Sequence, residues 1–338
     1  MRKLKYSVGY RIYPHDEFIN RIIEYKDSIH EVYFAWGDFP NGRQGAYELS
    51  GMPSWEAQAK QIHDLSRLSE AGIRLDMLFN AACYGKDSQS RAFFEKTGEA
   101  VQYVKERFGL DTVTTTSPLI ARFVKDNFEG IETRASVNMA IGTAEGMEYL
   151  EDVFDGFYLK RELNRDFEKI SELRRYCDEK GKKLYALCNS GCLNNCSAHT
   201  FHDSLVAHEK EISAMDNGYN FEGACRAYLK KGENRFKILE RTNFIRPEDI
   251  HLYEEFFTVM KLATRVSPNP FRILDAYIKN NRYVGNVLEL AEPDHSGILY
   301  PYVLDNGKIT SNIIDKKLVY GNIENALTKL EEDIYVNE

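Results

Sequence analysis

The sequence predicts a (βα)8 barrel of the TIM type, followed by a small C-terminal extension. Up to about residue 265, short apolar, β-branched or aromatic runs alternate with longer amphipathic stretches. Eight such strand-then-helix units match the number that closes a parallel barrel. An open doubly wound sheet is the alternative, but that fold usually has a glycine-rich turn after its first strand, and Gly9-Tyr10-Arg11-Ile12 does not provide one.

The eight strands are expected to be short segments rich in apolar and β-branched residues. We place them at about 5–10, 31–36, 73–79, 111–115, 132–138, 154–160, 183–188 and 236–241. The intervening helices are expected at about 17–28, 54–71, 90–108, 117–127, 143–151, 165–180, 200–216 and 248–265.

Three helix boundaries have local signals. Ser117-Pro118 combines an N-cap residue with proline at the first helical position. Gly181 is expected to end the helix over 165–180. Pro247-Glu248-Asp249 places proline and two acids in the first turn of the eighth helix, where the positive end of the helix dipole lies.

The rhythm of strands and helices breaks after the barrel, which we assign to 1–265. Ser267-Pro268-Asn269-Pro270 predicts a loop, with a helix near 271–280 and a final helix near 322–333. The region 266–338 is therefore expected to be a cap on the barrel or a small appended unit.

Composition limits the class of protein. The chain has 338 residues, of which 43% are hydrophobic and 28% charged, so a buried core is expected. Its net charge of −8 argues against a histone-like nucleic-acid coat, although a local basic groove remains compatible. Because the sequence has neither a long apolar run nor a signal-peptide core, we expect a cytoplasmic protein without membrane association.

Cysteine clustering is the main clue to chemistry. Cys188, Cys192 and Cys196 follow the seventh strand with C-x3-C-x3-C spacing, and Cys225 lies 29 positions later. Four thiolates can hold a tetrahedral zinc or a four-iron cluster, whereas buried free cysteines would pack as small apolar groups. The C-x2-C hooks typical of zinc sites are absent here, which favours the cluster. The radical S-adenosylmethionine motif has different spacing and follows a first strand.

Other candidate groups lie near this loop. His199 and His202 would share one helix face, where they could bind metal or move protons, or simply be polar residues at a helix start. Cys83 follows the third strand, as a spare ligand or a reactive thiol, whereas Cys177 is expected in the core. His-Glu-x-x-His and Gly-x-Ser-x-Gly motifs are absent from the sequence.

Polar residues follow almost every predicted strand, where barrel enzymes carry their active sites. Neutral amides and arginines at these positions suit a small anionic or oxygen-rich ligand, although loop solvation would also explain them. The residues predicted to bind such a ligand are Asn80, Asn138, Arg161, Arg241 and Asn243.

Three segments resemble the U32 peptidase-like family: LYALCNSGCLNNCSAHTFHDSLVAHE, RASVNMAIGTAEGMEYL and FYLKRELNRD. The resemblance covers about residues 5–265. Members were named as peptidases or collagenases, and better-understood members carry a [4Fe–4S] cluster on four cysteines. Those proteins act in oxygen-independent hydroxylation, in ubiquinone biosynthesis or on a pyrimidine of tRNA or ribosomal RNA, with prephenate as a suggested oxygen source.

The resemblance implies a set of cluster ligands in this chain: Cys188, Cys192, Cys196 and Cys225. The first three are closer together than in many members, which leaves Cys83 as a substitute for one of them. The leading hypothesis is therefore a cluster-dependent hydroxylase, or its accessory protein, acting on RNA or a small aromatic metabolite, with prephenate as a candidate ligand.

Two other functions are compatible with the sequence. A U32-type peptidase would need a nucleophile, for which Cys83 with one of the histidines is the candidate pair. A binding module stabilised by zinc or a cluster would act with a protein partner or RNA. The basic stretch beside Cys225 would then follow phosphates, although a solvated charged face is the simpler interpretation. Its members are Arg226, Lys230, Lys231, Arg235 and Lys237.

Overall fold

A computed structural model describes residues 4–43, 47 and 50–330. Its centre is a closed barrel of eight parallel strands in sequential order, which confirms the predicted (βα)8 architecture. The strands are β1 (Lys5–Gly9), β2 (Ile29–Ala35), β3 (Arg74–Phe79), β4 (Thr112–Thr115), β5 (Glu132–Ala135), β6 (Gly156–Tyr158), β7 (Lys183–Leu187) and β8 (Val259–Leu262). The pairing of Lys5 with Val259 closes the barrel.

Each of the first six strands is followed by an α-helix that packs outside the barrel. These are α1 (Glu17–Glu24), α2 (Ser54–Glu70), α3 (Arg91–Phe108), α4 (Pro118–Asn127), α5 (Ala144–Glu148) and α6 (Phe167–Glu179). Ser117 caps α4 as predicted, because its hydroxyl accepts a hydrogen bond from the Ile120 N–H, and Pro118 is the first helical residue. Asp166 caps α6 in the same way.

The segment between β7 and β8 departs from the repeating unit. It holds four short helices, α7 (His199–Ala207), α8 (Glu209–Ser213), α9 (Ala224–Leu229) and α10 (Ile238–Arg241). Two 3-10 helices lie at Gly232–Lys237 and Pro247–Tyr253. This long insertion carries Cys196 and Cys225 at the C-terminal end of the barrel.

The predicted eighth unit is wrong. The segment predicted as a strand, 236–241, is helical, and β8 lies inside the segment predicted as a helix, 248–265. Val259 packs in the barrel interior, whereas Met260 and Leu262 belong to the main core outside it. A four-residue alternation that includes buried Lys261 is too short to be distinguished from a helical pattern in the sequence.

The barrel interior is charged rather than purely aliphatic. Arg134 is fully buried, and its guanidinium donates to both oxygens of Glu31 at 2.5 and 3.1 Å and to Glu132 at 3.1 Å. Burial alone would raise the pKa of Glu31, but Arg134 outweighs burial and lowers it. Buried Lys261 lies 3.7 Å from the centre of the Tyr33 ring. Charged side chains thus occupy part of the barrel interior.

The C-terminal segment packs against the barrel. It contains α11 (Pro270–Leu274), α12 (Ser296–Leu299) and α13 (Ile323–Ala326), with antiparallel pairs β9 (Tyr302–Leu304) with β12 (Leu327–Lys329) and β10 (Thr310–Ile314) with β11 (Lys317–Gly321). A π-helical turn, Asp275–Lys279, extends α11 and accounts for the helix predicted near 271–280. Buried Arg246 anchors the segment through the Ile309 carbonyl at 2.8 Å.

The final helix predicted near 322–333 is only partly correct. Residues 323–326 are helical, but 327–329 pair with β9 as a strand, and 331–333 lie outside the described residues. Throughout the described ranges, no helix has the length and apolar character needed to cross a membrane.

Candidate functional site

The alternation of side chains along β7 determines where Cys188, the first cysteine of the loop motif, points. Tyr185 and Leu187 belong to the cluster inside the barrel, whereas Leu184, Ala186 and Cys188 pack in the core between strands and helices. Cys188 is fully buried, and burial raises the pKa of its thiol. The structure therefore separates Cys188 from the cavity that the other cysteines of this loop line.

The loop after Cys188 is clamped by the C-terminal segment. Asn189 is buried and donates to the carbonyls of Ala263 at 2.9 Å and Leu290 at 2.8 Å. The Gly191 N–H donates to the Glu292 carbonyl at 2.6 Å. A side chain at Gly191 would not fit, because a Cβ there would lie 2.2 Å from a backbone oxygen of the opposing segment. These contacts fix the backbone that leads to Cys192.

Three of the predicted cysteine ligands surround one cavity of about 360 Å³. Cys192 and Cys196 lie on the loop after β7, and Cys225 lies on α9. Burial and then the nearby Cys192 raise the pKa of Cys225. The polar residues that share this cavity are Arg43, His199, His202, Asp203, Glu222, Arg226 and Glu292.

A chain of hydrogen bonds joins the cavity to the mouth of the barrel. Arg161 lies 2.6 Å from His199 Nε2, donates to Asn138 Oδ1 at 2.5 Å and approaches the Cys192 sulfur at 4.0 Å. Asn138 in turn donates to the Asn80 carbonyl at 3.1 Å. Burial and then the Arg161 charge lower the pKa of His199. Asn80, Asn138 and Arg161 therefore lie together.

Arg241 and Asn243 lie elsewhere. Arg241 lines a second cavity of about 350 Å³, which shares Cys196 and Cys225 with the first. The Arg241 carbonyl also accepts a hydrogen bond from the Asn194 N–H at 2.6 Å. Asn243 is buried, and its carbonyl accepts from the Asn164 side chain at 3.3 Å. These two residues thus face the outer side of the cysteine loop or the protein core.

The structure adds residues that the sequence analysis missed. Arg43 Nε lies 2.6 Å from Glu292 Oε1, and this pair forms part of the cavity wall. Arg265 is 3% exposed and donates to Asn41 at 3.0 Å, whereas its Nε and Nη1 have no partner within the described ranges. Arg43 follows β2, where the strand-end rule applies, but no local signal marks Glu292.

The basic stretch near Cys225 does not form a uniform patch. Arg226 lines the cavity, Lys230 pairs with Glu222, and Arg235 lies 5.0 Å from the centre of the Phe236 ring. Three of its five members are thus engaged in the cavity wall, an ion pair and a ring contact, whereas Lys231 and Lys237 are exposed.

One other cluster resembles a metal site. In the part of the chain that the structure describes, Asp16, His63 and Asp64 are the group whose ligand atoms lie within 4.8 Å of one another. Lys60 already pairs with both carboxylates, at 3.0 Å from Asp16. The positive charge of Lys60 makes this cluster an ion-pair network rather than a cation site.

Comparisons with known proteins agree with the resemblance seen in the sequence. No protein-family model matches the chain. The chain is 26% identical over 293 residues to the "Uncharacterized protease MJ1657" of Methanocaldococcus jannaschii, across 83% of this chain and 80% of that protein. Among solved structures, the U32 peptidase Mk0906 matches 78% of this chain and 94% of its own, with a TM-score of 0.55 and 12% identity. That structural match shows a common fold.

Proposed function

We propose that this chain, which resembles the U32 peptidase-like proteins in sequence and fold, is an iron–sulfur redox enzyme that acts on a small anionic substrate. One observation carries the proposal: three thiols and two arginines, Arg43 and Arg226, line the same cavity. Cysteine thiolates are the usual ligands of iron–sulfur clusters, and the arginine fork binds carboxylates through two parallel hydrogen bonds.

The spacing of the thiols supports a cluster over a single zinc ion. Sulfurs bound at about 2.3 Å around one tetrahedral zinc lie about 3.8 Å apart. Cys192, Cys196 and Cys225 are not among the described groups whose three ligand atoms lie within 4.8 Å of one another. A four-iron core is wider, because each thiolate binds a different iron atom.

The proposed ligand set therefore comprises Cys192, Cys196 and Cys225, without Cys188. His202 is the other imidazole on the cavity wall, and it is our candidate for the fourth iron position. Substrate is the other group that could occupy that position. When bound, the cluster would supply electron transfer.

The chain's own residues would bind and orient the substrate. Glu292 accepts from Nε of Arg43 and the Gly42 carbonyl accepts from its Nη1, which leaves Nη2 for a carboxylate. Asn138 holds Arg161, and Arg161 lies 2.6 Å from Nε2 of His199, so this imidazole is oriented at the cavity wall as the candidate proton acceptor. A cavity of about 360 Å³ has the size of a small-molecule site.

The reaction that we assign from the family resemblance is oxygen-independent hydroxylation. A small aromatic metabolite is the favoured substrate because of the cavity size, and a carboxylate such as prephenate is the candidate oxygen donor. An RNA pyrimidine is the alternative substrate, and mass spectrometry of tRNA and ribosomal RNA from a deletion strain would detect it.

Anaerobic reconstitution with iron and sulfide tests the ligand set. Wild-type protein is expected to take up close to four iron atoms per chain, whereas Cys192→Ala, Cys196→Ala and Cys225→Ala should each lose most of this iron. Cys177→Ala is the matched control, because Cys177 is buried beside Met147 in the α6 region. Equal iron uptake by all four variants would contradict the proposal.

A further inference from the structure

One of the cysteines outside the cavity has polar partners of its own. Cys83 follows β3 and is partly exposed, and the Gly85 N–H donates to its sulfur at 3.4 Å. The His208 ring, directly after α7, lies beside the same glycine, since a Cβ built at Gly85 would be 3.9 Å from its Cε1, and this imidazole lowers the pKa of the thiol. Nδ1 of His208 lies 2.7 Å from Glu211 Oε2 on α8, so Nε2 is the ring nitrogen left for the sulfur. A thiol, an imidazole and a carboxylate thus form one connected row.

The geometry points to a nucleophilic centre made of Cys83, His208 and Glu211, and we propose that it performs acyl transfer through a covalent thioester. The arrangement provides a nucleophile, a base in contact with it and a third group that orients the base. The side chain of His208 is 26% exposed, so a substrate carbonyl can reach the pair from solvent. None of the proposed cluster ligands takes part.

Electrostatics supports the same assignment. The hydrogen bond from His208, followed by that from Gly85, lowers the pKa of Cys83. The bonds to Cys83 and Glu211 raise the pKa of His208. A lower thiol pKa and a higher imidazole pKa both favour a thiolate–imidazolium pair, and the thiolate is the reactive form of cysteine. Burial instead raises the pKa of Cys177 to about 11.

The proposed reaction has two balanced steps. The Cys83 sulfur attacks the acyl carbon, a C–S bond forms, the bond to the leaving amine or alcohol breaks, and that group takes a proton from His208. Water then attacks the thioester carbon, His208 accepts a proton from the water, and the C–S bond breaks to release the carboxylic acid and the thiolate.

Alkylation kinetics tests the activated thiol. Iodoacetamide is added between pH 5 and 9, and peptide mass spectrometry follows each cysteine separately. Cys83 is expected to react well below pH 8.5, about the pKa of an unperturbed cysteine, and His208→Gln should move its profile upward. His251→Gln is the control, because His251 bonds the Glu248 carbonyl far from this centre. A wild-type profile identical to that of a cysteine peptide would overturn the proposal.

Acyl turnover tests the reaction itself. The probes are p-nitrophenyl acetate and an unstructured peptide, and the thioester is trapped by acid quench and mass spectrometry. Turnover of either probe that disappears in Cys83→Ser, with acyl mass on the Cys83 peptide, supports the proposal and separates small acyl donors from peptides. Absence of both adduct and turnover would refute it. Iron uptake should be unchanged in Cys83→Ser, so this result is independent of the proposed cluster.

Discussion

The replacement Cys188→Ala separates the structure-based ligand set from the one that the sequence motif suggests. Cys188 shares the outward side of β7 with Leu184 and Ala186 and is fully buried. Tyr6 and Tyr277 belong to the same buried cluster, and their ring centres lie 6.4 Å apart. The variant should therefore lose packing but keep its iron.

The expected loss of stability follows from the volume removed. Deleting one buried sulfur resembles deleting a methyl group, which costs about 1 kcal/mol in a core that cannot collapse. In a chain of this size such a loss lowers the melting temperature by about 2 °C. Calorimetry gives the stability, and iron analysis after anaerobic reconstitution gives the cofactor content.

The two readouts together decide between the ligand sets. Iron within error of wild type and a small drop in melting temperature support the three-cysteine set. Loss of iron comparable to that of Cys196→Ala would show that Cys188 is a ligand and would refute the argument from strand alternation.

Three further predictions concern the barrel and its mouth. Arg134→Leu should destabilise the fold by about 3–5 kcal/mol in urea unfolding, because it leaves the buried Glu31 carboxylate unpaired. The double variant with Glu31→Leu should recover most of that loss, and additive losses of the two changes would contradict this. Gly191→Ala should cost about 1–3 kcal/mol and lower iron uptake, because its new Cβ overlaps a backbone oxygen; wild-type stability would show that the loop is not clamped. Arg161→Gln should raise the pKa of His199 in an NMR titration, since a cation that lowers it is removed; an unchanged value would exclude this contact.

The barrel could be predicted from the sequence because seven of its strands are short apolar runs with clear helical neighbours. The eighth could not, since Lys261 interrupts a strand of four residues and its charge is compensated by barrel groups far away in sequence. The inward position of Arg134 could not be predicted for the same reason, because its partner Glu31 lies more than a hundred residues away.

The residues of the candidate site were likewise only partly predictable from the sequence. Strand ends correctly point to Asn80, Asn138 and Arg161 as neighbours, because parallel strands bring their carboxyl ends to one edge. The spacing of the cysteines grouped Cys188 with the loop thiols, whereas the structure packs it with Ala186 in the core, following the two-residue period of β7. Glu292 carries no comparable signal, because only the folding of the C-terminal segment brings it to Arg43.

Iron and acid-labile sulfide analysis of wild-type protein, purified without air and without reconstitution, tests the central proposal most directly. We expect about four irons and four sulfides per chain, with the broad visible absorption of a cluster, and a loss of both when Cys192, Cys196 and Cys225 are replaced together. A colourless protein that holds zinc, or that holds no metal at all, would contradict the proposal.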